Sequence, residues 1–410
     1  MKSWVNYSED SDFSIYNIPF GIFSQDGSSP RIGSAIGDSV IDLRAVAKLG
    51  VFDSLNISAK IWDEDYLNTF IALGKSVTSK VRTVLQNELA NDASILKDHP
   101  EVFIAMSAVK MHLPVQVGDY TDFYSSIEHA TNVGKLFRDP ENALLPNWKH
   151  LPVGYHGRAS SIIVSGVDIH RPKGQTKPAD ADPVYGPCRL LDFELEMGFI
   201  IGKDSSLGSS VSTEEANDYI FGKVLFNDWS ARDIQKWEYV PLGPFLGKSF
   251  ASSVSAWVVT LEALEPFRVD GPTQEPEVLP YLQYSGKANI DIKLEVLIQP
   301  ESGEENVISE SNFKYMYWNM QQQLAHHTVN GCNVRVGDLL ASGTISGKDE
   351  KSYGSMLEIS QAGKKSLTLK DGSERKFIKD NDYVIMRGYS EKDGMRVGFG
   401  ELKSKVLPAL

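Results

Sequence analysis

Cysteine is nearly absent from this 410-residue chain, which contains only Cys188 and Cys332. Two thiols cannot form the disulfide framework of a small secreted domain, so this class of protein is excluded and a reducing location is favoured. The sequence also lacks an apolar run of membrane-spanning length, and residues 1–30 contain no apolar signal-peptide core. We therefore expect a cytoplasmic protein with no membrane partner.

An excess of basic residues is also lacking, because 41 lysines and arginines face 54 aspartates and glutamates, for a net charge of −13. This charge disfavours nucleic acid as a partner, so an anionic substrate would need a local cluster of Arg and Lys. No His-Glu-x-x-His zinc signature and no Gly-x-Ser-x-Gly nucleophile elbow occur. Residues 243–249 resemble a phosphate-binding loop, but they are one residue short and contain Pro244, which excludes a nucleotide site there.

The chain does contain enough apolar residues, 41%, to form a sizeable core in two domains. Turn residues separate short apolar runs at residues 15–23, 31–36 and 39–43, which predicts a small β-barrel near the N-terminus. Apolar residues recur at helical spacing over residues 62–93, with a predicted interruption at Gly74. The pattern changes near residues 111–118, where we expect a domain boundary.

After this boundary the sequence is rich in short strands and poor in helices. Strands are predicted at residues 161–164, 193–201, 219–226, 256–260, 290–297, 367–369 and 383–387. One helix is predicted over residues 229–237, entered by Asp228, and another over residues 317–329, ending at Asn330-Gly331. We therefore predict a β-rich, mixed-sheet architecture with a few helices.

The most informative stretch is Phe193-Glu194-Leu195-Glu196-Met197, in which apolar and acidic residues alternate. This period predicts a β-strand with Glu194 and Glu196 on one face, about 7 Å apart. Neighbouring carboxylates repel unless a proton or a cation lies between them, and an all-oxygen pair suits a hard divalent ion. The alternative is the solvent-exposed face of an amphipathic strand.

Other polar residues could belong to the same site. Asp228 follows an apolar run and precedes the predicted helix, so it is either an N-cap or a metal ligand. Arg232 and Gln235 are three residues apart and share a helix face, which would lie close to Asp228 unless that face is solvated. Lys248 is flanked by apolar residues and is therefore expected to be less exposed than most lysines.

A second group of candidates lies elsewhere in the chain. Asp122, Tyr124 and His129 occur in one short segment, in which the histidine is either a catalytic base or a structural residue. Residues 154–158 form a loop near a ligand or an ordinary surface turn. Glu358 lies inside an apolar run that we interpret as a strand, where it either pairs with a histidine or faces solvent.

Together these motifs resemble the fumarylacetoacetate hydrolase family. The similar stretches are residues 120–124, 151–158, 193–197, 227–233, 326–333 and 337–347. They follow one another in order over essentially the whole chain. The Glu-x-Glu pair with a later Asp marks the wider superfamily of hydrolases, decarboxylases and isomerases. The long N-terminal domain with Asp122, His129 and Lys248 narrows the resemblance to the fumarylacetoacetase branch.

The resemblance implies an α+β, β-rich fold. It implies a small N-terminal SH3-like β-barrel domain with helices over residues 1–118 and a larger C-terminal catalytic domain, a mixed β-roll, over residues 119–410. It also implies a homodimer formed through the C-terminal domain. The implied reaction is hydrolysis of the carbon–carbon bond of 4-fumarylacetoacetate, a dicarboxylate diketone, to fumarate and acetoacetate, the last step of tyrosine and phenylalanine degradation.

Individual residues acquire roles from the same resemblance. A first divalent ion, Ca²⁺ or Mg²⁺, would be bound by Asp122, Glu194, Glu196 and Asp228. A second, Mg²⁺, would be bound near Asp228, Lys248 and Ser252. The general base would be His129, oriented by Glu358. The oxyanion site would consist of Arg232, Gln235 and Lys248. The substrate would be held by Tyr124, Arg138, Gln235, Tyr239 and Thr344, with Tyr155 as a wall of the pocket.

Three other functions remain open. The chain could be an acylpyruvate hydrolase or another 1,3-diketone hydrolase of the superfamily, or an oxaloacetate decarboxylase. A more remote alternative is a non-catalytic calcium-binding protein, in which His129 and Lys248 would have no chemical role. The paired base and carboxylate, His129 and Glu358, favour the hydrolase, because a purely structural metal site needs no base.

Overall fold

The computed structural model describes residues 1–301 and 303–410. The N-terminal strands are β1 (Phe20–Ser24), β2 (Arg31–Ile36), β3 (Ser39–Asp42), β4 (Phe103–Ala105) and β5 (Lys110–His112). The helices of this region are α1 (Leu43–Lys48), α2 (Asn68–Ile71) and α3 (Lys75–Ala90). Gly74 separates α2 from α3 and has a φ of 85°, which glycine adopts without steric strain. The predicted interruption of the helical pattern at Gly74 is therefore confirmed.

The rest of the chain is rich in strands, as the alternation and the turn residues predict. The strands are β6 (Tyr120–Phe123), β7 (Gly154–His156), β8 (Ile162–Val164), β9 (Ile169–His170), β10 (Lys173–Thr176), β11 (Val184–Pro187), β12 (Leu191–Asp192), β13 (Leu195–Ile201), β14 (Ile220–Asp228), β15 (Ser230–Ala231), β16 (Ser252–Val254), β17 (Trp257–Thr260), β18 (Arg268–Val269), β19 (Asn289–Ile290), β20 (Lys293–Gln299), β21 (Asn306–Asn312), β22 (Leu339–Ala341), β23 (Leu367–Thr368), β24 (Glu374–Arg375), β25 (Tyr383–Lys392) and β26 (Met395–Leu407).

Helices connect these strands but do not dominate the region. They are α4 (Ile127–Phe137), α5 (Ala216–Tyr219), α6 (Arg232–Glu238), α7 (Leu261–Leu264), α8 (Met320–Thr328) and α9 (Met356–Ile359). Short 3-10 helices lie at Asp53–Leu55, Ala59–Asp63, Ile95–Asp98, Pro100–Val102, Met106–Ala108, Pro140–Asn142, Ala159–Ser161, Glu265–Phe267, Pro280–Leu282, Phe313–Tyr315 and Glu350–Ser352. Within the described parts of the chain, no helix is long and apolar enough to cross a membrane.

One large sheet runs through both predicted domains, in the order β4-β3-β2-β1-β17-β14-β13-β22-β6-β7. Strand β1 pairs with β17 at Phe20 and Gly21 and with β5 from Ile22 to Ser24. In residues 1–301 and 303–410, β4 and β5 form no ladder with each other, so the N-terminal strands do not close. The predicted SH3-like barrel is not confirmed, because one edge of β1 is divided between β5 and β17.

The mixed, strand-rich α+β class is confirmed. A second sheet has the order β21-β20-β25-β26-β9. The hydrophobic core crosses the predicted boundary, because Phe20 and Phe70 contact Phe221, with ring centroids 6.2 and 6.4 Å from its ring centroid. The division into residues 1–118 and 119–410 and the description of the C-terminal part as a β-roll stay predictions.

Candidate active site

The two acidic residues of the alternating stretch lie in the interior. Strand β13 begins at Leu195, and Glu194, directly before it, forms an isolated β-bridge with Ser355, the N-cap of α9. Glu194 is 5% exposed and Glu196 is 0% exposed. The alternative of a solvent-exposed strand face is therefore wrong, and both carboxylates need partners inside the protein.

Two further carboxylates join this pair because neighbouring strands bring them together. Strand β13 pairs with β14 on one side and with β22 on the other, and β22 pairs with β6. Asp122 lies on β6 and Asp228 is the last residue of β14. One oxygen atom from each of Asp122, Glu194, Glu196 and Asp228 lies within 4.8 Å of the others. We call these four residues the carboxylate cluster.

Asp228 does not cap the helix that follows it. Strand β14 extends through Asp228, which pairs with Ser252 of β16. Helix α6 starts only at Arg232, and its N-cap, Ala231, makes no side-chain capping bond. The N-cap interpretation of Asp228 is therefore wrong, because sheet pairing continues further than the apolar run of the sequence.

The carboxylate cluster has the chemistry of a divalent-cation site. Asp122 Oδ1 and Glu196 Oε1 are buried and have no hydrogen-bond partner within residues 1–301 and 303–410. Burial, together with the neighbouring carboxylates, raises the pKa of Asp122 and of Glu196 well above the ordinary value. Four hard oxygen donors with unsatisfied atoms fit a divalent ion such as Ca²⁺ or Mg²⁺.

Lys248 partly compensates the negative charge of the cluster. Its Nζ donates to Glu194 Oε2 and, at 2.8 Å, to Asp228 Oδ2. Although burial opposes it, the charges of Asp228 and Glu194 raise the pKa of Lys248. A protonated amine has no lone pair for a metal, so the predicted second Mg²⁺ site would have to use the carbonyl oxygen of Lys248.

Asp228 also has two hydroxyl partners. The hydroxyl groups of Tyr155 and Ser252 donate to its two carboxylate oxygens at 2.7 and 2.8 Å. These bonds orient the Asp228 side chain, and the first of them places Tyr155 against the carboxylate cluster. Ser252, which was predicted near Asp228, and Tyr155, which was predicted only as a wall of the pocket, thus both contact Asp228 directly.

Arg232 contacts Glu194 rather than Asp228. Its Nη2 lies 2.8 Å from Glu194 Oε1, and its Nε donates to Asp192 Oδ2 at 2.9 Å. Its Nη1 donates to Gln235 Oε1 at 3.3 Å, so Arg232 and Gln235 share a face as predicted. Although burial opposes it, the charges of Lys248 and Arg232 lower the pKa of Glu194 to about 2.

His129 and Glu358 form a buried pair. Nδ1 of His129 lies 2.7 Å from Oε2 of Glu358, and the two residues are 3% and 2% exposed. The backbone N–H of His129 donates to Ser126, the N-cap of α4, which fixes the first turn of that helix. The contact with Glu358 occupies Nδ1, so Nε2 is the ring nitrogen that can exchange a proton.

Glu358 lies in helix α9 and not in the predicted strand. The hydroxyl groups of Ser346 and Ser355 donate to its Oε2 at 2.9 Å, and Asn132 donates to Oε1 at 2.9 Å. Although burial opposes it, His129 and these donors lower the pKa of Glu358. Glu358 is therefore held as a carboxylate in a fixed orientation.

The predicted substrate-binding residues fall into two groups. Tyr124 is close to His129, with ring centroids 5.3 Å apart, and Thr344 is buried beside Gly343, whose N–H donates to Glu196 at 3.0 Å. Arg138 is exposed and donates to the carbonyl of Ala143 at 3.0 and 2.6 Å.

Tyr239 is 49% exposed. Neither Arg138 nor Tyr239 makes a side-chain hydrogen bond or ion pair to the carboxylate cluster within the described ranges. The structure thus brings Tyr124 and Thr344 close to the other candidates and leaves Arg138 and Tyr239 at the surface.

Four further residues of this region were not among the predicted site residues. Asp192, Asn132, Ser346 and Ser355 all hydrogen-bond to predicted site residues or to the helix that carries one. For Ser355 a signal was available, because Ser-x-x-Glu is a common start of a helix. Asp192 directly precedes the alternating stretch, but nothing local distinguishes it from a turn residue.

Comparisons with known proteins identify the family to which this chain is similar. Residues 16–114 match the family described as Fumarylacetoacetase N-terminal, and residues 120–407 match Fumarylacetoacetate (FAA) hydrolase C-terminal. The chain is 54% identical to a fumarylacetoacetase of Dictyostelium discoideum, over all of this chain and 98% of that protein. It is also 54% identical to the fumarylacetoacetase of Homo sapiens, over all of this chain and 99% of that protein.

The fold has relatives among solved structures. A fumarylacetoacetate hydrolase of Exiguobacterium antarcticum matches with a TM-score of 0.54 at 19% identity, over 95% of this chain and 99% of that one. A maleylpyruvate hydrolase from Sphingobium sp. SYK-6 matches with a TM-score of 0.52 at 15% identity, over 96% and 100% of the two chains. These two likenesses concern the fold alone. From the full-length identities and the two family matches it follows that this chain belongs to the fumarylacetoacetase family.

Proposed function

We propose that this protein hydrolyses the carbon–carbon bond of 4-fumarylacetoacetate to give fumarate and acetoacetate. The observation that carries the proposal is the 2.7 Å contact between His129 and Glu358, buried near four clustered carboxylates. A pair of this kind activates water, which a structural metal site does not require. The 54% identity to fumarylacetoacetases over the whole chain supports this choice of substrate.

We infer that the carboxylate cluster holds a divalent cation, either Ca²⁺ or Mg²⁺. Its ligands would be the oxygens of Asp122, Glu194, Glu196 and Asp228. When bound, such an ion supplies positive charge for the two oxygens of a 1,3-diketone and for the enolate that is released. The second Mg²⁺ near Asp228, Lys248 and Ser252 remains a separate and weaker proposal.

His129 acts as the general base in the proposed reaction. Its Nε2 takes a proton from water, which attacks the ketone carbon next to the fumaryl group. Glu358 holds the Nδ1 side of the ring and stabilises the imidazolium that forms. Asn132, Ser346 and Ser355 keep Glu358 in place during this change of charge.

Arg232, Gln235 and Lys248 provide the donors for the tetrahedral oxyanion. One carboxylate oxygen of Glu194 pairs with the side chain of Arg232 and the other with the side chain of Lys248. These two donors are therefore oriented before substrate arrives. One such donor typically contributes about 3 kcal/mol to the stabilisation of a transition state. Collapse of the oxyanion breaks the carbon–carbon bond and leaves the oxygen of the attacking water in fumarate. The other fragment leaves as a carbanion, and its protonation at carbon gives acetoacetate.

The remaining predicted residues would bind the two ends of the substrate. Tyr124 and Thr344 lie close to the buried part of the site. Arg138 and Tyr239 would contact terminal carboxylates from the exposed side, which requires Arg138 to exchange its bond to the carbonyl of Ala143 for one to substrate. Local cations would thus attract an anionic substrate to an acidic protein.

We also propose that the protein is a cytoplasmic homodimer. Two free thiols, Cys188 and Cys332, support a reducing compartment. Large apolar side chains are exposed in the last turn of α6 and in the segment after it, and Leu242 is 96% exposed. These side chains are Trp237, Tyr239, Val240, Leu242, Phe245 and Leu246. An exposed group of this size supports burial against a second copy of the chain.

The test follows loss of the ultraviolet absorbance of 4-fumarylacetoacetate with purified protein, with and without a chelator. We expect turnover that the chelator abolishes and that added Mg²⁺ or Ca²⁺ restores. Acylpyruvates and oxaloacetate serve as the comparison panel. Faster turnover of an acylpyruvate, or none of fumarylacetoacetate, would contradict the proposal.

Isotope incorporation tests the assigned roles in the same reaction. In ¹⁸O-water, label should enter a carboxylate of fumarate, and in deuterated water at least one deuterium should enter the methyl group of acetoacetate. Samples are quenched early because the ketone of acetoacetate exchanges with solvent. Label in a carboxylate of acetoacetate instead would mean that water attacks another carbonyl.

A further inference from the structure

Asp192 is a fully buried carboxylate that contacts two parts of the candidate site at once. It is 0% exposed and forms the end of β12. Its Oδ2 accepts from Nε of Arg232 at 2.9 Å and from the backbone N–H of Leu357 at 3.0 Å. Its Oδ1 accepts from the backbone N–H of Met356 at 2.7 Å. Three donors from two separate elements therefore meet on one side chain.

Each of these elements carries a residue of the proposed chemistry. Arg232 is the first residue of α6, and its guanidinium also contacts Glu194 at 2.8 Å. Helix α9 consists of only four residues, and it carries Glu358, which contacts His129 at 2.7 Å. The first N–H groups of a helix have no partner within it, so the start of α9 depends on an outside acceptor. Asp192 provides that acceptor for two of them.

We propose that Asp192 is a positioning residue, which holds Arg232 against Glu194 and Glu358 against His129 as one unit. Within residues 1–301 and 303–410 its carboxylate makes no hydrogen bond or ion pair with the carboxylate cluster, so it acts through Arg232 and through helix α9. This role rests on the proposed hydrolysis, in which Arg232 stabilises the oxyanion and Glu358 orients the base. A shift of about 1 Å at either residue reduces catalysis without removing any group that reacts.

The chain contains a matched control for this carboxylate. Asp42 is 6% exposed, accepts from Nε of Arg31 at 2.7 Å and caps helix α1 by accepting from the N–H of Ala45 at 3.1 Å. It therefore makes the same kinds of contact as Asp192. Arg31, however, lies over the ring of Phe23 and contacts no residue of the carboxylate cluster within the described residues.

The experiment compares Asp192→Asn with Asp42→Asn in the full-length, metal-loaded protein. Each change keeps the size of the side chain and removes its charge. We expect Asp192→Asn to lower kcat at least about tenfold per folded molecule while KM changes less than about threefold, because the lost interaction acts in the transition state. We expect Asp42→Asn to change kcat by less than about twofold. Its urea unfolding midpoint should nevertheless fall by about as much as that of Asp192→Asn.

A double-mutant cycle with Arg232→Lys shows whether Asp192 acts through Arg232. In that background Asp192→Asn should lower kcat by less than about threefold, because residues that act as a unit are not additive. If the two effects multiply, or if both Asn variants lose kcat equally, the positioning role is wrong. If Asp192→Asn does not fold, Asp192→Glu is used in its place, because it keeps the negative charge but displaces Arg232. An unchanged kcat in that variant would also contradict the positioning role.

The wild-type protein distinguishes this proposal from the proposed function. Absence of fumarylacetoacetate turnover in the wild type would contradict the function alone. The position of the Arg232 guanidinium in a crystal structure of Asp192→Asn then tests the positioning role without an activity measurement. We expect its contact with Glu194 to be lost there, and an unmoved Arg232 with an unmoved Glu358 would overturn the proposal.

Discussion

Strand β14 carries two buried charged residues, one in each half, and the two have opposite surroundings. Lys223, the fourth residue of the strand, is 0% exposed, and its Nζ has no hydrogen-bond partner in residues 1–301 and 303–410. This amine lies 4.1 Å from the ring centroid of Phe313. Asp228, the last residue of the strand, accepts hydrogen bonds from Tyr155, Lys248 and Ser252.

This difference shows how burial changes the pKa of a charged group that has partners of opposite charge and of one that has none. Burial, with a smaller contribution from Arg268, lowers the pKa of Lys223 to about 7. Lys248 is also buried, yet the charges of Asp228 and Glu194 raise its pKa. A buried amine therefore stays charged only where carboxylates surround it. For this reason the chemistry that needs fixed charges is confined to the Asp228 end of the strand.

The largest expected effect comes from removing charge at the Asp228 end. We expect the double variant Glu194→Gln, Glu196→Gln to lose divalent-ion binding and to lose turnover by at least about a thousandfold, because both activities need these oxygens. Equilibrium dialysis and the absorbance assay measure the two losses. The exposed pair Glu214→Gln, Glu215→Gln is the control and should retain both activities. If the metal-stripped double variant turned over substrate at the wild-type rate, the proposed role of a metal in the reaction would be wrong.

His129→Ala removes the proposed base and leaves the carboxylate cluster intact. We expect kcat to fall by about 10² to 10⁴ while a stable substrate analogue still binds, because a base acts in the chemical step. Glu358→Gln should lower kcat less. His99→Ala disrupts an exposed His–Glu pair of similar distance, 2.8 Å, and should have no effect. If analogue affinity collapses while single-turnover chemistry survives, His129 is a binding residue.

The smallest effect on turnover is expected for a substitution of Lys223, in the first half of β14. This substitution should change the stability of the protein rather than its activity. The folded pKa of about 7 lies below the unfolded value of 10.5, so the unfolded state binds more protons between these pH values. The destabilisation is therefore full below about pH 7 and disappears towards pH 10.5, with a slope of about 1.4 kcal/mol per pH unit.

Lys223→Met should remove this slope and stabilise the protein by roughly 4 kcal/mol at pH 7, the cost that the shift from 10.5 to about 7 implies. Urea unfolding at pH 7, 8 and 9 measures the difference between the variant and the wild type. Lys376→Met, at an exposed lysine, is the matched control and should leave the pH dependence unchanged. A difference between wild type and Lys223→Met that does not change with pH would show that Lys223 stays charged when buried.

Local patterns were sufficient to predict part of the carboxylate cluster and some of the N-terminal strands. The alternation around Glu194 and Glu196 predicted a strand with both acids on one face, and both lie in one cluster with Asp122 and Asp228. Strands β2 and β3 lie where turn residues and apolar runs predicted them. Such features depend on neighbours in sequence, which periodicity reports directly.

Features that depend on distant partners could not be predicted in this way. The apolar run around Glu358 is too short for periodicity to separate a strand from a helix, and the helix is stabilised by the cap at Ser355 and by the distant Asp192, which accepts from the start of α9. His129 and Glu358 are 229 residues apart, so no local pattern reports their contact. The end of β14 at Asp228 likewise depends on pairing with β16.

The division of the β1 edge between β5 and β17 also constrains how the chain is made. Phe20 pairs with Val258, so the ribosome must add more than 200 residues before the native partner of this part of the edge exists. At translation rates of about 5–20 residues per second, the delay is on the order of ten to fifty seconds. Throughout that interval Phe20 and Gly21 lack their native strand partner even after β5 has been made, and an unpaired strand edge is the kind of surface that neighbouring chains and chaperones bind.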